Sequence, residues 1–234
     1  AVAMFRRAFV GVLLAAALLP APAPATAAEV TVLGPSCTLA STQAEAEEQW
    51  ALYGVFAANW SAEILRDIPG AAEDMALARA WYADKKSDAA PPEEVAAAVA
   101  RIDVAGHRVG YQGQEASAPL RVLVDRNERR ADARRWEVLP RAEARERLNT
   151  HRDTPLHDYR VGLSVAAAES WDRAWERTPG AEDAERAGRA EMSQCTAGVS
   201  GPTPPPVLPG AHIGALYTSL VMNLLEDIGQ LMPR

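Results

Sequence analysis

Imidazoles and carboxylates crowd together at one place in this chain, His151-Arg152-Asp153-Thr154-Pro155-Leu156-His157-Asp158. Imidazole nitrogen and carboxylate oxygen are the donors a divalent ion accepts. This makes His151, Asp153, His157 and Asp158 candidate metal ligands. His151, Asp153 and His157 are also the candidate catalytic groups of a metal-assisted hydrolysis. The spacing is not that of a helical metal motif, because Pro155 stands between the histidines. The competing reading is a polar loop in which Asp153 or Asp158 caps the helix that follows.

Two acids on otherwise apolar segments, Glu63 beside Trp60 and Glu169 beside Trp171, are candidates for carboxylate chemistry such as glycoside cleavage. The competing reading makes each a solvated helix edge. Arg126, Arg129, Arg130, Arg134 and Arg135 form a basic run. It is either the solvated loop of a hairpin or a patch for an anionic envelope polymer. Histidine mechanisms have His107 and His212 as further candidates. The chain contains no Gly-x-Ser-x-Gly elbow, Walker loop, dinucleotide fingerprint or Cys-x-x-Cys. No cofactor is expected.

The elements that must position these groups are mainly helical. Trp50, Tyr53, Ala57, Trp60 and Ile64 share one helical face, widened by Leu52, Val55 and Phe56. A helix apolar on most sides has to be surrounded, so 41–68 is expected to be the central helix of a single-domain core. Thr42 and Glu45 have the spacing of a capping box, and Pro69-Gly70 ends the helix. Further helices are expected over 71–83, 93–102, 141–148, 160–177 and 181–196. Glu29 to Leu33 reads as a short strand. Leu120, Val122 and Val124 alternate with Arg121 and Leu123, the period of a strand. With 104–111 and 135–139 they are expected to form a small antiparallel β element across 104–139. The rival is an arginine-rich helix through 126–148.

Both ends have their own character. Met4, Arg6 and Arg7 precede an apolar run from Ala8 to Leu19, a proline break and Ala25-Thr26-Ala27. This is the layout of a secretory leader over about residues 1–28, with Ala1 to Ala3 an upstream extension. The exported chain is expected to start at Ala28 or Glu29, leaving 29–200 as the domain. Residues 201–210 are rich in proline and read as a semi-rigid linker. Over 211–232, Ile213, Leu216, Leu220, Leu224, Ile228 and Leu231 make the stripe of an amphipathic helix. It is expected to dock on the domain, or to serve self-association or a partner protein. Glu226 and Asp227 argue against a bilayer span there.

Charge and cysteines narrow the class. Without the leader's two arginines the chain has 22 basic and 31 acidic residues, a net charge of −9. Such a surface argues against nucleic acid as a partner. Cys37 and Cys195 both lie in the exported part, where a disulfide is the expected state. The helix ending at Cys195 has a thin apolar face, Ala184, Gly188, Met192 and Cys195. A bridge from it to the foot of the central helix would fix it. Arginine far exceeds lysine and alanine is abundant, as in a GC-rich bacterial genome. The expected function is a non-catalytic binding or scaffold module, secreted or in the bacterial cell envelope. The alternative is an extracytoplasmic hydrolase using His151, Asp153 and His157.

Overall fold

The computed structural model describes residues 28–131 and 136–203. The leader before Ala28, the linker from 204 and the expected helix over 211–232 lie outside the described residues.

Within them the chain is mainly helical with a small four-stranded antiparallel sheet. Strands β1 (Glu29–Leu33) and β2 (Ser36–Ala40) form a hairpin in which Leu33 pairs with Ser36 across Gly34-Pro35. Gly34 has φ 59°, a value that favours glycine. The central helix α1 (Gln43–Asp67) starts at the expected capping box. The Thr42 N–H donates to Glu45 Oε2 at 2.6 Å, and the Glu45 N–H donates to Thr42 Oγ1 at 3.2 Å. Helix α2 (Ala72–Tyr82) follows after Pro69-Gly70, and α3 (Glu93–His107) after Pro91-Pro92.

The expected small antiparallel β element is present, but most of its strands lie elsewhere in the chain. Strands were expected at 104–111 and 120–124, and both regions are helical: α3 runs to His107, and α4 spans Ala118–Ala131. Leu120, Val122, Leu123 and Val124 are all buried, so both parities of the supposed strand face protein. A helix in contact with several neighbours buries such a run. Pro119 fits the first turn of that helix. The arginine-rich rival over 126–148 fails as well, because β3 (Trp136–Pro140) interrupts it before α5 (Arg141–Asn149) begins. Strand β3 pairs with β2, and β4 (Gly201–Pro202) pairs with β1. Of the expected 104–139 element only β3 is strand, and the first two residues of the expected linker belong to the sheet.

Residues Pro155–Arg160 form a 3-10 turn. Helix α6 (Val165–Glu176) starts later than the expected Arg160, because Ser164 Oγ accepts from the Ala167 N–H and caps it. Helix α7 (Ala181–Ala197) runs between Gly180 and Gly198, both at positive φ.

Two cores result. The larger is built on Tyr53, Phe56, Trp60 and Ile64 of α1, with α2, α3, α4 and α6 around them. Phe56 stands 5.3 Å from Trp171 and 5.8 Å from Trp175, and Trp60 Nε1 donates to Ser170 Oγ at 3.0 Å. The indoles of α6 therefore pack on Phe56 of α1. The smaller core joins Val30, Cys37, Leu139, Ala144, Met192 and Cys195 under the sheet. The Cys37–Cys195 disulfide lies inside it, with a Cα–Cα distance of 5.8 Å. Because Cys37 is in β2, the bridge fastens α7 to the sheet and not to the foot of α1.

Candidate functional site

The histidine–acid cluster does not assemble into one site. His157 is buried against the stacked indoles of α6, 5.3 Å from Trp171 and 4.7 Å from Trp175. The Thr154 N–H donates to His157 Nδ1 at 3.2 Å, so Nδ1 carries no proton and the neutral ring holds its proton on Nε2. Burial lowers the pKa of the ring, against the pull of Glu185 and Asp153. Asp153 is buried and takes Arg189 Nη2 at 2.6 Å on Oδ2, leaving Oδ1 without a partner among the described residues. The same guanidinium stands 3.5 Å from Nδ1 of exposed His151. Asp158 turns the other way, to Arg147 at 3.0 Å and Arg152 at 2.8 Å.

A guanidinium thus stands where a metal shared by His151 and Asp153 would need to be. Among the described residues no three His, Cys, Asp or Glu side chains gather as a metal requires. His151, Asp153, His157 and Asp158, the expected ligands, are thus not gathered into one set among the described residues. The physical reason is that the abundant arginines neutralise these carboxylates first. The helix-capping expectation for Asp153 and Asp158 is also replaced: Thr154 caps the 3-10 turn and Ser164 caps α6.

Glu63 is fully buried on α1, held by Arg66 at 2.9 Å, Arg173 at 2.8 Å and Arg177. Burial would raise its pKa, but hydrogen bonds from Arg173 and Arg177 outweigh this and hold it below the usual range. It clamps α1 to α6. Glu169 is exposed. His107 Nε2 lies 2.8 Å from the Gly113 carbonyl oxygen, and His212 is outside the described residues. The basic run divides. Arg126 Nη2 donates to the Ala83 carbonyl at 2.7 Å, and Asn127 Nδ2 to those of Tyr82, Ala83 and Lys85, so α4 satisfies the end of α2. Arg129 stays at the surface, 5.7 Å from the centre of the Tyr53 ring.

Tyr53 lines a concave feature that gathers polar groups from several elements, a cleft of about 520 Å³. α1 supplies Tyr53 and α4 supplies Arg121, Asp125 and Arg129. The turn at 155–161 supplies Asp158 and Tyr159, and Glu115 closes another side. The walls are braced by their own bonds. Tyr159 donates its hydroxyl to Asp125, and Glu115 accepts from the Ser164 N–H at 2.8 Å. Burial, reinforced by the bond to Asp125, keeps Tyr159 protonated. The Tyr53 hydroxyl differs: it is buried and has no partner among the described residues. Burial pushes its pKa up to about 12, with Arg129 opposing, so it is a neutral donor at any ordinary pH.

No protein-family model, curated protein or solved structure matches this chain. The chemistry of the cleft is that of its own groups.

It holds two arginines, a free phenol and carboxylates already engaged. Ser117 Oγ is committed to Asp103 at 3.0 Å and to the Gln114 carbonyl. Among its described lining residues there is no histidine or cysteine to act as base or nucleophile. The arrangement can bind and orient a polar group. Sequence reasoning placed Tyr53 in the core face and passed over Asp125 and Tyr159. A signal was available: tyrosine in an otherwise apolar stripe brings a hydroxyl that needs a partner.

Proposed function

We propose that this chain is an exported, non-catalytic binding module of the bacterial cell envelope, with the Tyr53 cleft as its ligand site. The leader-like residues 4–27 support export. A disulfide is compatible with an oxidising compartment, and among the described residues no helix is long and apolar enough to cross a membrane. The observation that carries the binding reading is the buried Tyr53 hydroxyl left without a partner beneath the exposed Arg129. A buried hydroxyl without a hydrogen bond is costly, and a ligand oxygen entering beside Arg129 would satisfy it. Arg121 and Arg129 suit an acidic or hydroxyl-rich group, as in an envelope glycan.

Calorimetric titration with soluble fragments of bacterial cell wall tests this. Binding that falls at least about tenfold in Tyr53→Phe, the loss of one hydrogen bond in a dry site, supports the assignment. Binding unchanged in both Tyr53→Phe and Arg129→Ala removes it.

A further inference from the structure

Glu115, Asp125 and Asp158 line the Tyr53 cleft, and they are not equally committed. Glu115 accepts from the Ser164 N–H at 2.8 Å on Oε1, and from the Gln112 N–H at 2.7 Å on Oε2. Asp158 has one oxygen on each arm of Arg147, and Arg152 adds a third bond. Asp125 differs. Its Oδ2 takes the Tyr159 hydroxyl and lies 4.0 Å from Arg121 Nε, whereas Oδ1 accepts no hydrogen bond among the described residues. The arginines of the cleft are also uncommitted. Arg121 stays beyond hydrogen-bond range of Asp125. Arg129 follows Asp125 by four residues, the spacing at which opposite charges close on each other across a helical turn. It lies instead over the Tyr53 ring, 5.7 Å from its centre, and makes no ion pair with Asp125.

Helix α4 thus brings Arg121, Asp125 and Arg129 to the cleft at successive turns, a carboxylate between two cations. A ligand that answers each group with the opposite charge carries an ammonium between two carboxylates. We propose that the cleft takes an acidic α-amino acid of the length of glutamate, its ammonium on Asp125 and its two carboxylates on Arg121 and Arg129. An ammonium only donates and suits the open Oδ1, while a carboxylate suits the paired N–H groups of a guanidinium. The two arginines stand two turns apart, ~12 Å along the helix axis. A skeleton with a carboxylate at each end lets one small ligand engage both. The bond from Tyr159 holds the Asp125 carboxylate in place between them. A cleft of about 520 Å³ is of the size that receives small molecules. This rests on the reading of the cleft as a ligand site and narrows the acidic group named there.

Calorimetric titration of the full chain with L- and D-glutamate tests this. The enantiomer that binds better is compared with its N-acetyl derivative and with the matching glutamine. N-acetylation removes the ammonium and keeps both carboxylates, whereas glutamine keeps the ammonium and loses one carboxylate. Each is expected to bind at least about tenfold more weakly than glutamate, the loss of one charge-assisted contact. Asp125→Asn is expected to erase the preference for glutamate over N-acetylglutamate, and Arg121→Gln the preference for glutamate over glutamine. Should Asp125→Asn fail to fold without its charge, the ligand series on the unaltered protein and on Arg121→Gln decides, because the Arg121 side chain is 80% exposed. Equal binding of glutamate and N-acetylglutamate overturns the inference. Cell-wall fragments that bind through Tyr53 and Arg129 while glutamate does not bind overturn the inference and leave the ligand-site reading standing. Binding of neither overturns both.

Discussion

Tyr53 and Glu63 lie ten residues apart on one helix and show opposite ways of burying a polar atom. The Tyr53 hydroxyl has no partner among the described residues, so it is a local cost. Tyr53→Phe is expected to leave stability unchanged or raise it by about 1 kcal/mol, read from the urea midpoint. A marked loss would mean that the hydroxyl is satisfied in solution. Glu63 has three arginines on it. Glu63→Gln leaves them without their common carboxylate and is expected to cost about 3 kcal/mol, the low end for a buried pair because the arginines reach water. The pH dependence follows from the lowered pKa of Glu63. Its contribution is complete above 4.5, the ordinary glutamate value, and is lost as pH falls through the lower folded value. The gap between Glu63→Gln and the unaltered protein should therefore close below that pH. A gap that persists unchanged in acid would show that Glu63 acts by packing alone.

At the scale of elements, the packing of α7 is decided by a missing side chain. A Cβ on Gly188 would lie 1.9 Å from the carbonyl oxygen of Asp153, a backbone atom with no freedom to give way. That contact brings Arg189 onto Asp153, and it explains why an apolar face as thin as Ala184, Gly188, Met192 and Cys195 can hold a helix. Gly188→Ala raises helix propensity, yet it is expected to destabilise by about 2 kcal/mol, as overpacking does. A more stable Gly188→Ala protein would show that α7 sits further out. The α4 segment teaches a related lesson. Valine and leucine in alternation suggest a strand, but as a helix α4 brings Arg126 and Asn127 to the carbonyls at and just past the end of α2. Those bonds, with burial of both parities of the 120–124 run, override the local preference.

For the whole molecule, the disulfide divides the labour. The larger core has aromatic mass of its own, whereas the smaller one has six buried residues and a covalent tie. The bridge spans 158 residues of sequence, which on the chain-entropy model contributes about 5 kcal/mol as an upper value. In the oxidised protein, urea unfolding followed by tryptophan fluorescence and by far-ultraviolet circular dichroism should coincide. In Cys37→Ser/Cys195→Ser the two should separate. The sheet, α5 and α7 are expected to unfold first, ahead of the core carrying Trp60, Trp171 and Trp175. Coincident curves in the double variant would show that the two cores hold each other without the bridge.

The sequence by itself determined what local chemistry controls. Thr42 with Glu45 set the start of α1, Pro69-Gly70 its end, and the aromatic spacing its central place. The two cysteines, in a chain with a leader-like start, named the only bridge available. Each of these depends on neighbours a few residues apart or on simple elimination. Tertiary structure decided the rest. It made α4 a helix, gave the Glu29–Leu33 strand its partners at 36–40 and 201–202, and put arginines on Asp153 and Asp158 where a metal had been considered. It also set Tyr53, a core residue, against the wall of a cleft. These outcomes depend on which groups meet across long stretches of chain. An arginine 36 positions from Asp153 leaves no periodic trace, and only packing shows that it reaches the carboxylate before any ion could.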